Sequence, residues 1–343
     1  MNFRRRLPEI RCLSPICPRR ETPHSIHGSV LYNGSLRIIV IGGSGHIGTY
    51  LTPRLAEAGH DVVCVSRGHR HPYTPHDAWS HVTRVTLDRD AAESDGAFGP
   101  SIVQLHPDAV IDLTCYTLES ARRLVDTLRG RVAHFLHCGT IWVHGHGVEV
   151  PTTEAAPRNP FGDYGCRKAA IEAFLLDEAR AGFPATILHP GHLVGRGWHP
   201  INPAANFNPQ VFSDLAAGRE ILLPNIGMET LHHVHASDVA QAFVQALAHR
   251  DAAIGEAFHV VSPAALTLRG YAERMTAWYG REPNLRFLPF DEWKRSTSEK
   301  DAGITWNHIA HSSNCSIEKA RRLIGYQPAY TSLAAVQEAL AAP

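Results

Sequence analysis

The segment Leu36-Arg37-Ile38-Ile39-Val40-Ile41-Gly42-Gly43-Ser44-Gly45-His46-Ile47-Gly48 decides the fold. Its first half is a short apolar run, as expected of a strand buried on both faces, and glycines at 42, 45 and 48 follow without a break. The next stretch, TYLTPRLAEAG, has helical period. Gly42 permits a tight turn, Gly45 a close approach of backbone to a pyrophosphate, and Gly48 close contact between helix and strand. The helix start at His46 and Ile47 adds N–H groups that no backbone carbonyl can satisfy. Strand, turn and helix in this order form a dinucleotide cradle.

The pattern continues down the chain. Runs rich in Val, Ile and Leu (DVVCVS, HVTRVTL, DAVIDLT, VAHFLHC, PATILHP) alternate with the helical stretches ESARRLVDTLRG and KAAIEAFLLDEARAG. Continuous apolar strands separated by helices predict an α/β fold, a Rossmann-type doubly wound parallel sheet covered on both faces. After His189 prolines and asparagines crowd GWHPINPAANFNPQ, and the alternation loosens. The reading is a nucleotide domain over residues 36–195 plus about 231–262. A smaller C-terminal α/β substrate lobe takes about 196–230 plus 263–343. Residues 1–35 have arginines and prolines but no amphipathic period, and are expected to be a disordered extension.

Composition narrows the function. Of 343 residues, 44% are apolar, ample for a large core, and 33 basic residues balance 33 acidic ones. Charge therefore gives no reason to expect a nucleic acid or a membrane surface as partner, and a small molecule is expected instead. Seven cysteines lie scattered with no CxxC pair, four of them inside apolar runs, which reads as reduced core thiols of a cytoplasmic protein. No apolar run approaches the roughly 18 residues that span a bilayer.

Dinucleotides are told apart at the end of the second strand. An Asp or Glu there would accept from the 2′-hydroxyl of NAD and repel a 2′-phosphate; DVVCVSRGHR offers Ser66 and Arg67, with Arg70 close behind. NADP is therefore favoured over NAD. At the end of the third strand, Asp88 is placed to accept from the adenine amino group.

The stretch FGDYGCRKAAIEAF, residues 161–174, sets Tyr164 and Lys168 one helical turn apart on one face. A free phenol titrates near pH 10, so a phenolate at neutral pH needs a shift of about three units, or about 4 kcal/mol. One cation at about 4 Å supplies a comparable amount at an effective dielectric near 20. Lys168, aided by the positive ring of an oxidised nicotinamide, thus makes Tyr164 a general base, or a general acid in reverse. Thr140, at the strand end HFLHCGTIWVHG, sits to donate a hydrogen bond to the reacting oxygen.

Gly42-x-x-Gly45-x-x-Gly48, Cys138-Gly139-Thr140, Thr153-Glu154 and Tyr164-Gly165-Cys166-Arg167-Lys168 resemble the extended short-chain dehydrogenase/reductase family of nucleotide-sugar epimerases and dehydratases. The likeness extends through HPGHLVGRG, LHHVHASDVA and EKARRLIGYQP, over about residues 36–340. It implies a Thr140-Tyr164-Lys168 triad in which Lys168 also holds the nicotinamide ribose. It further implies that Pro190 runs past the nicotinamide and that the protein is a homodimer. His144 and His189 depart from the family's usual tyrosine and arginine. Ile141 and Trp142 stand where its dehydratases carry Asp-Glu, which argues against sugar 4,6-dehydration.

Twenty-three histidines invite a metal reading, but His-x-His supplies only two ligands, and no metal is expected. His192, Trp198, Asn202, Asn206 and His232 are candidate substrate contacts beyond the strand ends, suited to a sugar or another polyhydroxylated ligand. Two functions remain in view. One is an NAD(P)-dependent oxidoreductase or epimerase, the other a catalytically silent NADP-binding redox sensor or scaffold, against which the intact triad speaks.

Overall fold

Seven parallel strands order themselves β11-β6-β5-β4-β1-β2-β3 in a computed structural model that describes residues 34–341. In chain order the strands are β1 (Arg37–Ile41), β2 (Asp61–Ser66), β3 (Thr83–Thr86), β4 (Ala109–Asp112), β5 (His134–Cys138) and β6 (Ala185–Pro190). The short β7 (His192–Val194), β8 (Ile221–Pro224), β9 (Thr230–Leu231) and β10 (His233–His235) follow, then β11 (Ala257–Val260), β12 (Leu266–Thr267) and β13 (Leu285–Leu288). Strand order reverses between β1 and β4, the position where a doubly wound sheet opens a crevice for a ligand. The extension expected over residues 1–35 falls, except for its last two residues, outside the described residues.

Period-two alternation splits β1 between two cores. Ile38 and Val40 pack with Ile47, Leu51 and Leu55 of the first helix (His46–Glu57) and with Val239 and Phe243 of the helix Ala236–Ala248. Ile39 and Ile41 face the other way, onto Leu124 and Leu128 of Leu118–Leu128 and onto Ile171 and Leu175 of Gly162–Arg180. Each such side chain contributes about 1.5–3 kcal/mol by leaving water. Both faces must be covered, and the alternating helices cover them.

A third cluster forms around Ile201, Phe212, Leu223, Tyr271, Met275 and Ile309, with the parallel pair β8 and β13 at its edge. One boundary read from the sequence needs correction. Cys315, Ile317, Ala320, Ile324 and Tyr326, assigned above to the smaller lobe, belong to the β1 core, because the helix Glu318–Ile324 returns to lie on β11. Among the described residues no helix is long and apolar enough to cross a membrane.

Candidate active site

Two of the three glycines sit where a side chain would clash. Gly42 adopts φ +82°, and a Cβ there would come within 2.4 Å of the Thr114 methyl; at Gly48 one would lie 2.3 Å from the Gly43 carbonyl oxygen. The first helix starts at Gly45 without a side-chain cap, leaving its first-turn N–H groups for a ligand. Ile47 is sunk in the core and His46 turns its ring aside to stack on Trp198 at 4.6 Å, so both offer the cradle backbone only. A cavity of about 650 Å³ opens here, lined among others by Gly42, Gly45, Ser66, Arg67, Arg70 and Tyr116. Uncapped amides, glycines that leave no room for a side chain, and two arginines at the end of β2 fit a nicotinamide dinucleotide. Neither Arg67 nor Arg70 makes an ion pair among the described residues.

Gly48→Ala tests the cradle. The clash is with backbone, which cannot rotate away, so we expect a loss of about 1–3 kcal/mol in stability. Isothermal calorimetry should register at least about a tenfold loss of dinucleotide affinity, equivalent to about 1.4 kcal/mol.

Asp88 is exposed at the end of β3. It caps the helix Arg89–Ser94, its carboxylate accepting from the Ala91 N–H at 3.1 Å, while its neighbours Leu87, Arg89 and Asp90 line the cavity. The cap uses Oδ1 and leaves the second carboxylate oxygen available.

The helix Gly162–Arg180 brings the catalytic candidates to the end of the sheet. Asp163 in its first turn complements the helix dipole. Thr140 caps the short 3₁₀ turn Ile141–His144, its hydroxyl accepting from the Trp142 N–H at 3.3 Å. That hydroxyl is close enough to the Tyr164 phenol to pull its pKa downward, so these two candidates lie near each other.

Lys168 is almost wholly buried and donates to the Cys115 and Cys138 carbonyl oxygens, both at 2.7 Å. Its ammonium lies 4.9 Å from the ring centre of Tyr116, which lines the cavity. Here the electrostatics differ from expectation. Burial, reinforced by Cys138 and Tyr116, pushes the Tyr164 phenol above its ordinary value against the pull of Thr140. Burial likewise lowers the Lys168 ammonium. Two carbonyls hold that ammonium, while Tyr164 as a whole residue is 43% exposed.

The substrate candidates divide. Trp198 lines the cavity just described and also a second one of about 580 Å³, together with Arg70, Tyr73, His199 and Phe207. His192 is buried beside Trp142, His233 and His308, and lines neither. Asn202, Asn206 and His232 are corrected to structural roles. Asn202 donates to Asn206 at 2.6 Å and to the Asn208 carbonyl at 2.9 Å; Asn206 donates to Thr305 at 3.1 Å. His232 bonds the Ser262 carbonyl through Nε2 and accepts from the Cys315 N–H through Nδ1. An asparagine-proline loop folded on itself uses up the groups a ligand would need. Pro190 ends β6 against Val260.

Sequence reasoning missed Tyr73, whose hydroxyl bonds His46 Nδ1, and Phe207, which walls the second cavity. It also missed the helix Glu299–His311, which stacks His311 on Trp142 at 4.1 Å beside Tyr164. Among the described residues no group of three His, Cys, Asp or Glu could hold a metal ion.

With cradle and sheet in place, comparison with known proteins gives the class. The chain belongs to the NAD dependent epimerase/dehydratase family, whose model matches residues 38–260. Among curated relatives, 2′-dehydrokanamycin reductase of Streptomyces kanamyceticus is 30% identical over 270 residues, 76% of this chain and 71% of that protein. UDP-glucose 4-epimerase of Corynebacterium glutamicum is 24% identical, over 88% of this chain and 94% of its own. The fold is shared with dTDP-glucose 4,6-dehydratase of Bacillus anthracis in complex with NAD, at TM-score 0.68 and 14% identity, covering 89% of this chain and 96% of that one. The protein is thus an NAD-binding Rossmann enzyme of the oxidoreductase and epimerase type.

Proposed function

We propose that this protein transfers hydride at a secondary alcohol or ketone of a small polar substrate, with Tyr164 as acid/base and NADP as the preferred dinucleotide. The observation that carries the reading is the nearness of Thr140 to the Tyr164 phenol on the helix that also carries Lys168, whose buried ammonium lies over the ring of Tyr116 in the cavity wall. When bound, the dinucleotide supplies or accepts the hydride and, oxidised, carries a positive ring. Gly42, Gly45, the amides of His46 and Ile47, Gly48, Ser66, Arg67, Pro190 and Lys168 are the residues that would hold it. Thr140 donates to the reacting oxygen and orients it; Tyr164 passes a proton to that oxygen or takes one from it.

Substrate binds, on this reading, in the second cavity, between Trp198 and Phe207 and beside the dinucleotide. Sugars and sugar nucleotides suit its aromatic walls and its Arg70 and His199 edge. The names of the relatives supply probes: UDP-glucose for epimerisation and 2′-dehydrokanamycin with NADPH for reduction. Mass spectrometry after gentle purification separates the two chemistries, since an epimerase recycles its dinucleotide and retains it, whereas a reductase exchanges it each turn.

Dinucleotide choice has its own test. We expect calorimetry to show tighter binding of NADP than of NAD to the wild type. Arg67→Ala should cost NADP about 10- to 100-fold, as for one charge-assisted hydrogen bond of about 1.5–3 kcal/mol, and leave NAD nearly unmoved. Equal affinities in the wild type would remove the assignment.

A further inference from the structure

We infer that Arg158, Glu172 and His189 form a positioning relay that fixes the backbone of Thr140, and through it the hydroxyl proposed to work with Tyr164. The inference rests on the proposed roles of Thr140 and Tyr164 and adds three residues to them.

The relay begins in the helix that carries Tyr164. Glu172 follows Lys168 by four residues and Tyr164 by eight, so all three lie along one side of the helix. Its carboxylate is 2% exposed. Arg158 donates to it through Nη2 at 2.7 Å and Nε at 3.1 Å, and is itself pinned by donating Nη1 to the Glu154 and Ala156 carbonyls at 2.8 and 2.6 Å. Burial alone would favour the neutral acid, but His189 and Arg158 outweigh it and hold the carboxyl below its ordinary range.

His189, near the end of β6, is fully buried and joins that carboxylate to the catalytic turn. Its Nε2 lies 3.0 Å from Glu172 Oε1, and its Nδ1 lies 2.9 Å from the Thr140 nitrogen. The Thr140 N–H can only donate, so Nδ1 must carry a lone pair. A neutral ring then has its proton on Nε2, pointed at the carboxylate. An ionised Glu172 selects the one tautomer that can accept from Thr140.

The fit is tight. A Cβ on Gly139 would stand 2.3 Å from His189 Nδ1, so the ring abuts the Gly139-Thr140 turn directly. One helix thus carries the phenol at its start and, two turns on, the carboxylate that sets the partner of Thr140. Hydroxyl and phenol are held in register through a path outside both cavities. Displacement of a catalytic group by about 1 Å can cost about 10²-fold in rate, which gives the relay its purpose.

Two isosteric replacements separate positioning from filling space. His189→Asn places an amide oxygen near the position of Nδ1 and can still accept from Thr140; His189→Gln reaches Glu172 but leaves the Thr140 N–H without an acceptor. In the ¹⁵N-labelled full chain, long-range proton–nitrogen spectra should show wild-type His189 protonated on Nε2 alone, and Glu172→Gln should mix the tautomers. Thr140 amide exchange should accelerate at least about tenfold in His189→Gln, as for a lost hydrogen bond of about 1.4 kcal/mol or more, and stay within about threefold of wild type in His189→Asn. The same order is expected in kcat, with KM unmoved. A proton on Nδ1 in the wild type, or equal exchange in the Asn and Gln variants, would overturn the relay. If the Gln variant fails to fold, the tautomer readings on wild type and Glu172→Gln still decide. Tyr164→Phe should leave the His189 spectrum and Thr140 exchange unchanged, so the proposed function can fail by that variant's turnover while the relay stands.

Discussion

Tyr164→Phe should lower kcat by about 10³-fold or more while calorimetry shows dinucleotide affinity within about twofold of the wild type. The substitution removes one hydroxyl from a ring that rests against Trp142, with centroids 6.0 Å apart, so packing hardly changes and the proton-carrying atom is lost. The phenol lies near the Thr140 hydroxyl at this end of the sheet. Water could replace it only with a poorer donor geometry. Initial rates on the accepted probe, measured for both proteins under saturating dinucleotide, check the claim; turnover within tenfold of wild type would remove Tyr164 from the mechanism.

The second large effect concerns acid. Burial holds His46, His134 and His233 down to about 3, and His144, His232, His308 and His311 to about 4, against an ordinary value near 6.5. These rings are neutral in the folded protein and protonate once it unfolds. Between about pH 6.5 and 4 the unfolded chain therefore binds more protons, and stability falls as pH falls. Well below 6.5, each such histidine contributes a slope of about 1.4 kcal/mol per pH unit. Several acting together over two units match a whole folding free energy of about 5–15 kcal/mol. Urea titrations at steps from pH 7.5 to 4.5 should show the unfolding free energy dropping steeply below about pH 6, with uptake of several protons. A flat profile to pH 4.5 would mean that these rings are hydrated or charged in the native state.

Much of this molecule could be read from its residues because the decisive features were local. The β1 run, the glycines behind it, and Tyr164 with Lys168 one turn apart each declare their geometry within a dozen positions. Asn206 and His232 went astray for the opposite reason. Their partners Thr305, Ser262 and Cys315 lie 30 to 99 positions away, and polarity alone does not say whether a group faces a ligand or its own fold. The same holds for Glu172 and His189, whose significance appears only once β6 is laid against the helix.

Tyr326 sends its hydroxyl to the Val261 carbonyl and, with Ile317 and Ile324, closes the hydrophobic layer that β1 opened. Nascent polypeptide emerging from a ribosome therefore cannot seal its nucleotide half until nearly three hundred further residues have been synthesised. Chaperones would meet a greasy, half-covered sheet for most of translation, and a ribosome stalled before Cys315 would present an intermediate readily cut by proteases.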